Sequence, residues 1–576
     1  MGGQGAGADT DSPATSTSSA GSAGSARLSG GRRWAVFAAY LLAAAILFTV
    51  YLQLSRTAQL NSDSANILLM GSDLLHGNLL LHGWYMSDVP FFPTEIPQYA
   101  LLESFLGSHM QTAHVAAAMT YTLTFLLAVL LARSGSTGRE ALVRTLIAAG
   151  IMLAPQFGNG VFALDLSVGH IGASVPLLLT WLLLDKLRPR WWLPLLTAAL
   201  LGWTLVADPI VYVVGVGPLG VACAARVIRG LVKGAGRVSS RIAGVWYDLA
   251  LGTASVAAVA LARGADDAIS ALGGYTVNQL PFYLTPWHYL HNNVQALWKV
   301  LEIFGANYGG HSGIWLILAF GHLASVLVVA WALARAARRF FSVSLVDQVL
   351  AVAIVLNVVL YLFTNAADNA AREVAVIVPF GAVLAARMLV RPAGKVTDAG
   401  EAGSADAGSG REHGAAASPG RARLIRLAAW ATGIVVLAGY AAGLGYEIVQ
   451  PPAPPANTDL ASWLVAHHLR YGLSGYWTSS SVTVDSDNRV QLRALTQHTL
   501  QRDLWMSKVD WYDPKLHYAN FIVLDSQPGN FSYWQPRALV TKYFGVPAQT
   551  YRTGPYTIMV WKKNLLNSVP SLPGGP

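Results

Sequence analysis

Apolar and polar positions fall in long blocks along this chain, without sustained alternation at strand or amphipathic-helix period. The block Trp34–Leu54 is apolar over about 21 residues, enough to cross the hydrocarbon core of a bilayer as a helix. Arg27, Arg32 and Arg33 precede it and no small-residue cleavage site follows, so it predicts an uncleaved first span rather than a signal peptide. Further blocks lie at about 110–132, 143–162, 171–185, 191–207, 210–228, 243–262, 312–334, 345–364, 373–390 and 427–446. Together they predict an α-helical polytopic membrane protein with about eleven transmembrane helices. Residues 1–30 are mostly Gly, Ser, Ala and Thr, too poor in apolar side chains to build a core, and read as a disordered cytoplasmic tail.

The segments between the blocks are of two kinds. One kind is basic: Arg133, Arg139 and Arg144; Lys186, Arg188 and Arg190; Arg226 through Arg241; Arg335, Arg338 and Arg339; and a low-complexity linker, 391–426, ending in Arg421, Arg423 and Arg426. The other kind is aromatic and poor in Lys and Arg: 55–109, 156–170, 263–311 and 365–372. The two alternate, so the positive-inside rule places the first kind in the cytoplasm and the second outside. An even number of helices would reverse the side of the C-terminus. The reading gives a module over 31–390 with large outer loops 55–109 and 263–311, a last span 427–446, and an extracytoplasmic α/β domain over 447–576. Within that domain Asp459–Leu469 reads as a helix, and Ser481–Val484, Phe521–Leu524 and Tyr556–Trp561 read as strands. The predicted location is the cytoplasmic membrane, with the N-terminus inside.

Composition agrees with burial in lipid. Of 576 residues, 53% are hydrophobic and only 12% charged, about half the charged fraction of a soluble chain. The net charge of +9 comes from the loop residues that set topology, so no nucleic-acid partner is implied. One cysteine, Cys223, leaves neither an internal disulfide nor a thiolate metal site. No phosphate loop, dinucleotide-binding glycine pattern or nucleophile elbow occurs, which argues against an ATP-driven pump and against a cytoplasmic nucleotide-sugar enzyme.

The outer loops carry the candidate chemistry. Asp63 lies a few residues beyond the first span and precedes an apolar, helix-like stretch. A carboxylate there can take a proton from an incoming hydroxyl, or it can cap a helix starting at Ser64. Further on come Gly77-Asn78, Trp84 and Glu95-Ile96-Pro97 followed by Tyr99. This series resembles the first outer loop of the GT-C glycosyltransferase superfamily, which includes protein O-mannosyltransferases, lipid A aminoarabinose transferases and oligosaccharyltransferases. The likeness extends to the layout of the chain: an inside N-terminus, a second large outer loop late in the bundle and an outer C-terminal domain. Asp63 is followed by Ser64 where these families usually carry an acidic residue.

The resemblance implies an enzyme that moves a sugar from a polyprenyl-phosphate donor to a lipid, protein or glycan acceptor. It implies Asp63 as general base, with Asp165 of the loop between the third and fourth spans as a second catalytic acidic residue or, alternatively, an ordinary loop aspartate. Arg372 stands at the outer end of the tenth span among loops nearly free of arginine. Its forked donors suit a phosphate, although pairing with Glu373 or Asp368 would also account for it. His170, at the start of the fourth span, either contacts phosphate or caps the span. Trp84, Glu95, Tyr275 and Trp287 are candidates for contact with substrate, or, for the aromatic ones, for an interfacial belt. His288 and His291, three residues apart, would with Glu95 offer ligands to a divalent metal ion or stand unliganded. Asp208-Pro209 reads as a structural turn. In the outer domain, Tyr476-Trp477 and Trp511-Tyr512 suit either carbohydrate contact or core packing.

Two other functions compete. A secondary transporter needs ionisable groups at mid-bilayer, and the blocks contain almost none. A scaffold with this fold but no chemistry is the nearer alternative, and it gains if Asp63, Asp165 and Arg372 do not share one cavity.

Overall fold

The computed structural model describes residues 30–153, 169–233, 238–309, 312–364, 371–390, 419–529 and 532–570. The chain divides into two units, Met1–Ile46 and Leu47–Pro576. The described part of the first is helical, the beginning of the helix Gly30–Arg56.

Each apolar block of the sequence contains a helix. Six helical segments among the described residues are long and apolar enough to cross a membrane: Phe37–Arg56, Met110–Ala132, Tyr212–Val232, Ser239–Ala271, Ile314–Arg338 and Leu345–Phe363. The other blocks hold shorter helices, Gly138–Met152, Ser174–Lys186, Leu193–Ala207 and Ile377–Leu389, or, within Pro419–Ile448, a shorter apolar part at Gly433–Ile448.

Ile377–Leu389 is the axis of the bundle. Every residue from Ile377 to Ala386 is buried, as expected of a helix that is apolar all round. Charged side chains stand at both of its ends. At its C-terminal end Arg387 is gripped by Asp347 (Nε–Oδ1 2.6 Å) and Asp185 (Nη2–Oδ1 2.9 Å), all nearly buried. That cluster ties the axis to the helices Leu345–Phe363 and Ser174–Lys186. Removing one partner would strand a buried charge. The opposite end follows a short 3-10 turn, Arg372–Val374, and opens on the candidate site.

At that end the chain builds two sheets. One has five strands in the order β4-β3-β6-β8-β7: β3 (Tyr471–Ser474), β4 (Gln491–Ala494), β6 (Phe521–Asp525), β7 (Gln549–Thr553) and β8 (Tyr556–Val560). β3 runs parallel to β4 and β6, and β8 is antiparallel to both β6 and β7. β6 is buried throughout, which fits its central place and its run of Phe, Ile, Val and Leu. The expected helix near Asp459 is present at Thr458–Ala466. The expected strands at Phe521 and Tyr556 are present as well. The expected strand at Ser481–Val484 is instead the middle of a helix, Tyr476–Asp485. Its hydroxyls satisfy backbone carbonyls one turn back: Ser479 bonds Gly475 (2.8 Å), Ser481 bonds Trp477 (3.0 Å) and Thr483 bonds Ser479 (3.0 Å).

The second sheet is small and joins three distant parts of the chain. β1 (Trp84–Met86) lies between β2 (Thr276–Val277) and β5 (Ser507–Lys508). Tyr85 pairs with Thr276 on one side and Ser507 on the other. Asn278 secures the join by donating to the carbonyls of Met86 (2.6 Å) and Leu504 (2.7 Å). The C-terminal domain is thereby fixed to both large loops.

Candidate active site

Asp63 sits at the second position of the helix Ser62–Leu75. The cap is Asn61, whose side chain accepts from the Asp63 N–H at 3.0 Å. This corrects the capping alternative: with Asn61 as cap, the Asp63 carboxylate is available to the cavity. It is 6% exposed. Its Oδ1 accepts from the Tyr476 hydroxyl at 2.6 Å, and Arg372 Nη1 approaches Oδ2 at 3.5 Å. Burial pushes the carboxyl above the usual aspartate range, while the Tyr476 hydrogen bond and the Arg372 charge pull against it.

Backbone features place these partners. Arg372 follows Ala371, which holds a left-handed conformation (φ 54°). Its aliphatic stem runs past Gly169, whose φ of +147° favours glycine there. Tyr476 is the first residue of its helix, capped by Gly475. A Cβ on Gly475 would come within 2.6 Å of the Trp534 ring, so the tight exit from β3 that aims Tyr476 at Asp63 needs glycine.

A second charged pair stands beside the first. His170 Nδ1 donates to Asp208 at 2.8 and 3.0 Å. Burial disfavours the imidazolium, but the Asp208 charge and hydrogen bond outweigh it and hold His170 up at about 9, cationic at neutral pH. Asp208 does shape a turn, accepting from the Ile210 N–H at 3.0 Å; it is also the counter-ion of His170. Burial raises the Asp88 carboxyl, with His170 opposing.

These groups line a cavity of about 380 Å³ that includes Asp63, Asp88, His170, Arg372, Glu373 and Tyr476. A larger space of about 780 Å³ adjoins it and shares Asp88, Val89, His170, Leu280 and Glu373. The larger space has an apolar wall in Leu205, Val206, Pro281 and Phe282 and a polar one in Asp266, Asp267 and Asn278. A charged chamber thus opens into a longer, partly apolar one. Chemically, the first offers a buried base between cations, and the second offers room for an amphipathic molecule.

Not every residue singled out in the sequence comes here. Asp63, Arg372 and His170 converge, and Tyr275 lines the larger space, buried with its ring 5.6 Å from Phe92. Trp84 is 1% exposed and is a structural pin: its Nε1 donates to Asp73 at 2.8 Å and its ring meets Trp511 at 5.0 Å. Glu95 is buried, accepts from Thr94 and packs onto Gly172, where a Cβ would fall on its carboxylate. Burial pushes it up to about 7, and it lines a separate groove. Trp287 is 83% exposed and borders neither chamber. His291 Nδ1 bonds the His288 carbonyl at 3.1 Å. Among the described residues no three His, Cys, Asp or Glu side chains converge to hold a metal ion, so Glu95, His288 and His291 do not form the expected ligand set. Asp165 lies outside the described residues. Tyr476, Asp88 and Asp208 are the additions. Tyr476 stood out within the pair Tyr476-Trp477 and Asp208 within Asp208-Pro209, where it reads only as a turn; Asp88 carried no signal in the sequence.

No protein-family model matches the chain, and no curated protein matches it. Among solved structures it is similar to ArnT from Cupriavidus metallidurans in the apo state, with 13% identity and TM-score 0.51, covering 92% of this chain and 98% of that one. It is likewise similar to ArnT bound to undecaprenyl phosphate, with 14% identity, TM-score 0.51 and the same coverage. The Archaeoglobus fulgidus oligosaccharyltransferase, in complex with zinc and sulfate, aligns at TM-score 0.44 and 11% identity over 90% of this chain and 72% of that one. This chain therefore has the fold of these ArnT structures.

Proposed function

We propose that this protein is an integral membrane glycosyltransferase that moves a sugar from a polyprenyl-phosphate donor to an acceptor on the outer side of the cytoplasmic membrane. The observation that carries the reading is the convergence of a buried carboxylate, Asp63, with an arginine, Arg372, and a histidine paired with Asp208, His170, around one cavity. The adjoining partly apolar chamber is suited to the isoprenoid end of a donor. ArnT, whose fold the chain shares, binds undecaprenyl phosphate. The topology belongs to the same proposal: about eleven spans, the N-terminus in the cytoplasm, and the C-terminal domain with the site outside.

In the reaction the acceptor hydroxyl oxygen attacks the anomeric carbon. The bond from that carbon to the phosphate oxygen breaks, and polyprenyl phosphate leaves. Asp63 takes the hydroxyl proton. Arg372 and the His170 imidazolium face the charge that grows on the leaving phosphate, in a site largely shielded from water where such contacts are strong. Tyr476 holds the Asp63 carboxylate in place. The acceptor is a lipid, a protein or a glycan.

The convergence also weighs against a scaffold without chemistry, because Asp63 and Arg372 share one cavity. The test is transfer of radiolabelled sugar from polyprenyl-phosphate donors in membranes containing the protein, with Asp63→Asn in parallel. Labelled product that disappears in the variant at equal protein level supports the reading. Transfer that survives removes Asp63 as base, and absence of transfer from every donor leaves the scaffold as the better account.

A further inference from the structure

The C-terminal domain contains a cavity of about 600 Å³ beside the edge of its sheet, apart from both chambers described above. Arg493, on β4, lies over the ring of Trp511 at 3.9 Å, and its Nη2 donates to Gln491 Oε1 at 3.0 Å. Stacking and the hydrogen bond fix the guanidinium plane. No carboxylate forms an ion pair with Arg493 among the described residues, and none lines the cavity. Burial pulls its guanidinium down to about 10, still cationic at neutral pH. Lys515, exposed, adds a second positive charge at the wall.

Of the nearby carboxylates, Asp510 acts on Arg493 through its charge without pairing with it. Asp510 faces Lys508 at 3.6 Å, and Asp513 accepts from the Lys515 backbone N–H at 2.8 Å. The wall is also braced. Asn564 donates to the His517 carbonyl at 3.0 Å and accepts from the Ala519 N–H at 3.0 Å, locking the loop that carries Lys515. Two partly exposed rings, Tyr471 (37%) and Tyr518 (45%), border the space. Its volume is that of a small-ligand site. Fixed cations suit an anion, and exposed aromatic rings beside amide side chains suit the apolar faces and hydroxyls of a sugar.

We infer that this cavity is a binding site for an anionic saccharide, a sugar bearing a phosphate or a carboxylate, recognised by Arg493 and Lys515 with Tyr471 and Tyr518 against the ring. The site is complete without Asp63, so it stands or falls independently of the transferase reading. Through Trp511, whose ring meets Trp84, it is joined to the first large loop. An acceptor glycan held there would be anchored to the same rigid unit as the catalytic carboxylate.

The full chain in lipid nanodiscs is titrated by saturation-transfer NMR with mannose 6-phosphate, glucuronic acid, methyl mannoside and inorganic phosphate. Mannose 6-phosphate or glucuronic acid is expected to bind, and which of them binds identifies the anion. Arg493→Gln and the exposed Lys515→Glu are each expected to weaken it about tenfold or more, and Asp63→Asn to leave it unchanged. The inference is overturned if neither charged sugar binds or if methyl mannoside binds equally well. It is also overturned if inorganic phosphate displaces the sugar at equal concentration, or if Lys515→Glu, with an unchanged melting temperature, binds as the parent does.

Discussion

Tyr476→Phe tests the geometry at its most specific point. The change removes one oxygen, the donor to Asp63 Oδ1 at 2.6 Å, and leaves the ring in place. A hydrogen bond to a charged group is worth about 1.5–3 kcal/mol, which at 1.36 kcal/mol per pH unit corresponds to a shift of roughly 1–2 units. The bond favours the ionised carboxylate, so its loss moves the Asp63 titration further upward. The ionised form is the base, and activity is lost as pH falls through that titration. The acidic limb of kcat/KM for sugar transfer is therefore expected to move to higher pH by roughly 1–2 units, with the parent plateau regained on the alkaline side. Initial rates measured across pH with a fixed polyprenyl-phosphate donor give the limb directly. A limb that stays in place while the plateau drops would refute the reasoning, because Tyr476 would then be acting on shape and not on the Asp63 proton.

Asp208→Asn removes the charge that holds His170 up at about 9. The imidazolium is lost as pH rises through its titration, so the alkaline limb of the same profile is expected to move to lower pH, checked alongside the acid limb, which stays. Arg372→Lys keeps a positive charge but loses the fork, and turnover is expected to fall by about tenfold or more with the thermal stability of the protein unchanged. Gly172→Ala puts a methyl group on the Glu95 carboxylate and is expected to cost about 1–3 kcal/mol in thermal unfolding. Adding Glu95→Ala should return most of that loss, and a double variant no more stable than the single one would disprove the contact. Trp84→Ala is expected to cost about 3–5 kcal/mol and to speed amide exchange in β5; a raised KM with no loss of stability would instead restore Trp84 as a substrate contact.

The helical blocks were legible because burial in lipid demands long apolar stretches, and no other local pattern satisfies that demand. Asp63 and Arg372 were legible for a related reason: a charge at the end of an apolar block is conspicuous. Ser481–Val484 was misread because alternating Val and hydroxyl residues match strand preference, whereas in place each hydroxyl returns to a carbonyl within its own helix. Trp84 and Glu95 stood in the right loop, yet one is a buried pin and the other packs on a glycine; aromatic and acidic side chains serve packing and substrate equally well, and only three-dimensional surroundings separate the two. The pairing of His170 with Asp208 joins residues 38 apart, and that of Asp63 with Tyr476 joins residues 413 apart. No periodicity reaches across such separations.

The distance between Asp63 and Tyr476 along the chain sets an order of events in the life of the protein. The ribosome produces the carboxylate early and its phenol partner more than four hundred residues later. A nascent chain halted between Ile448 and Tyr476 holds the bundle, the arginine and the histidine, but its carboxylate lacks the phenol partner. The contact between Asp63 and Tyr476 therefore arrives only with the last domain.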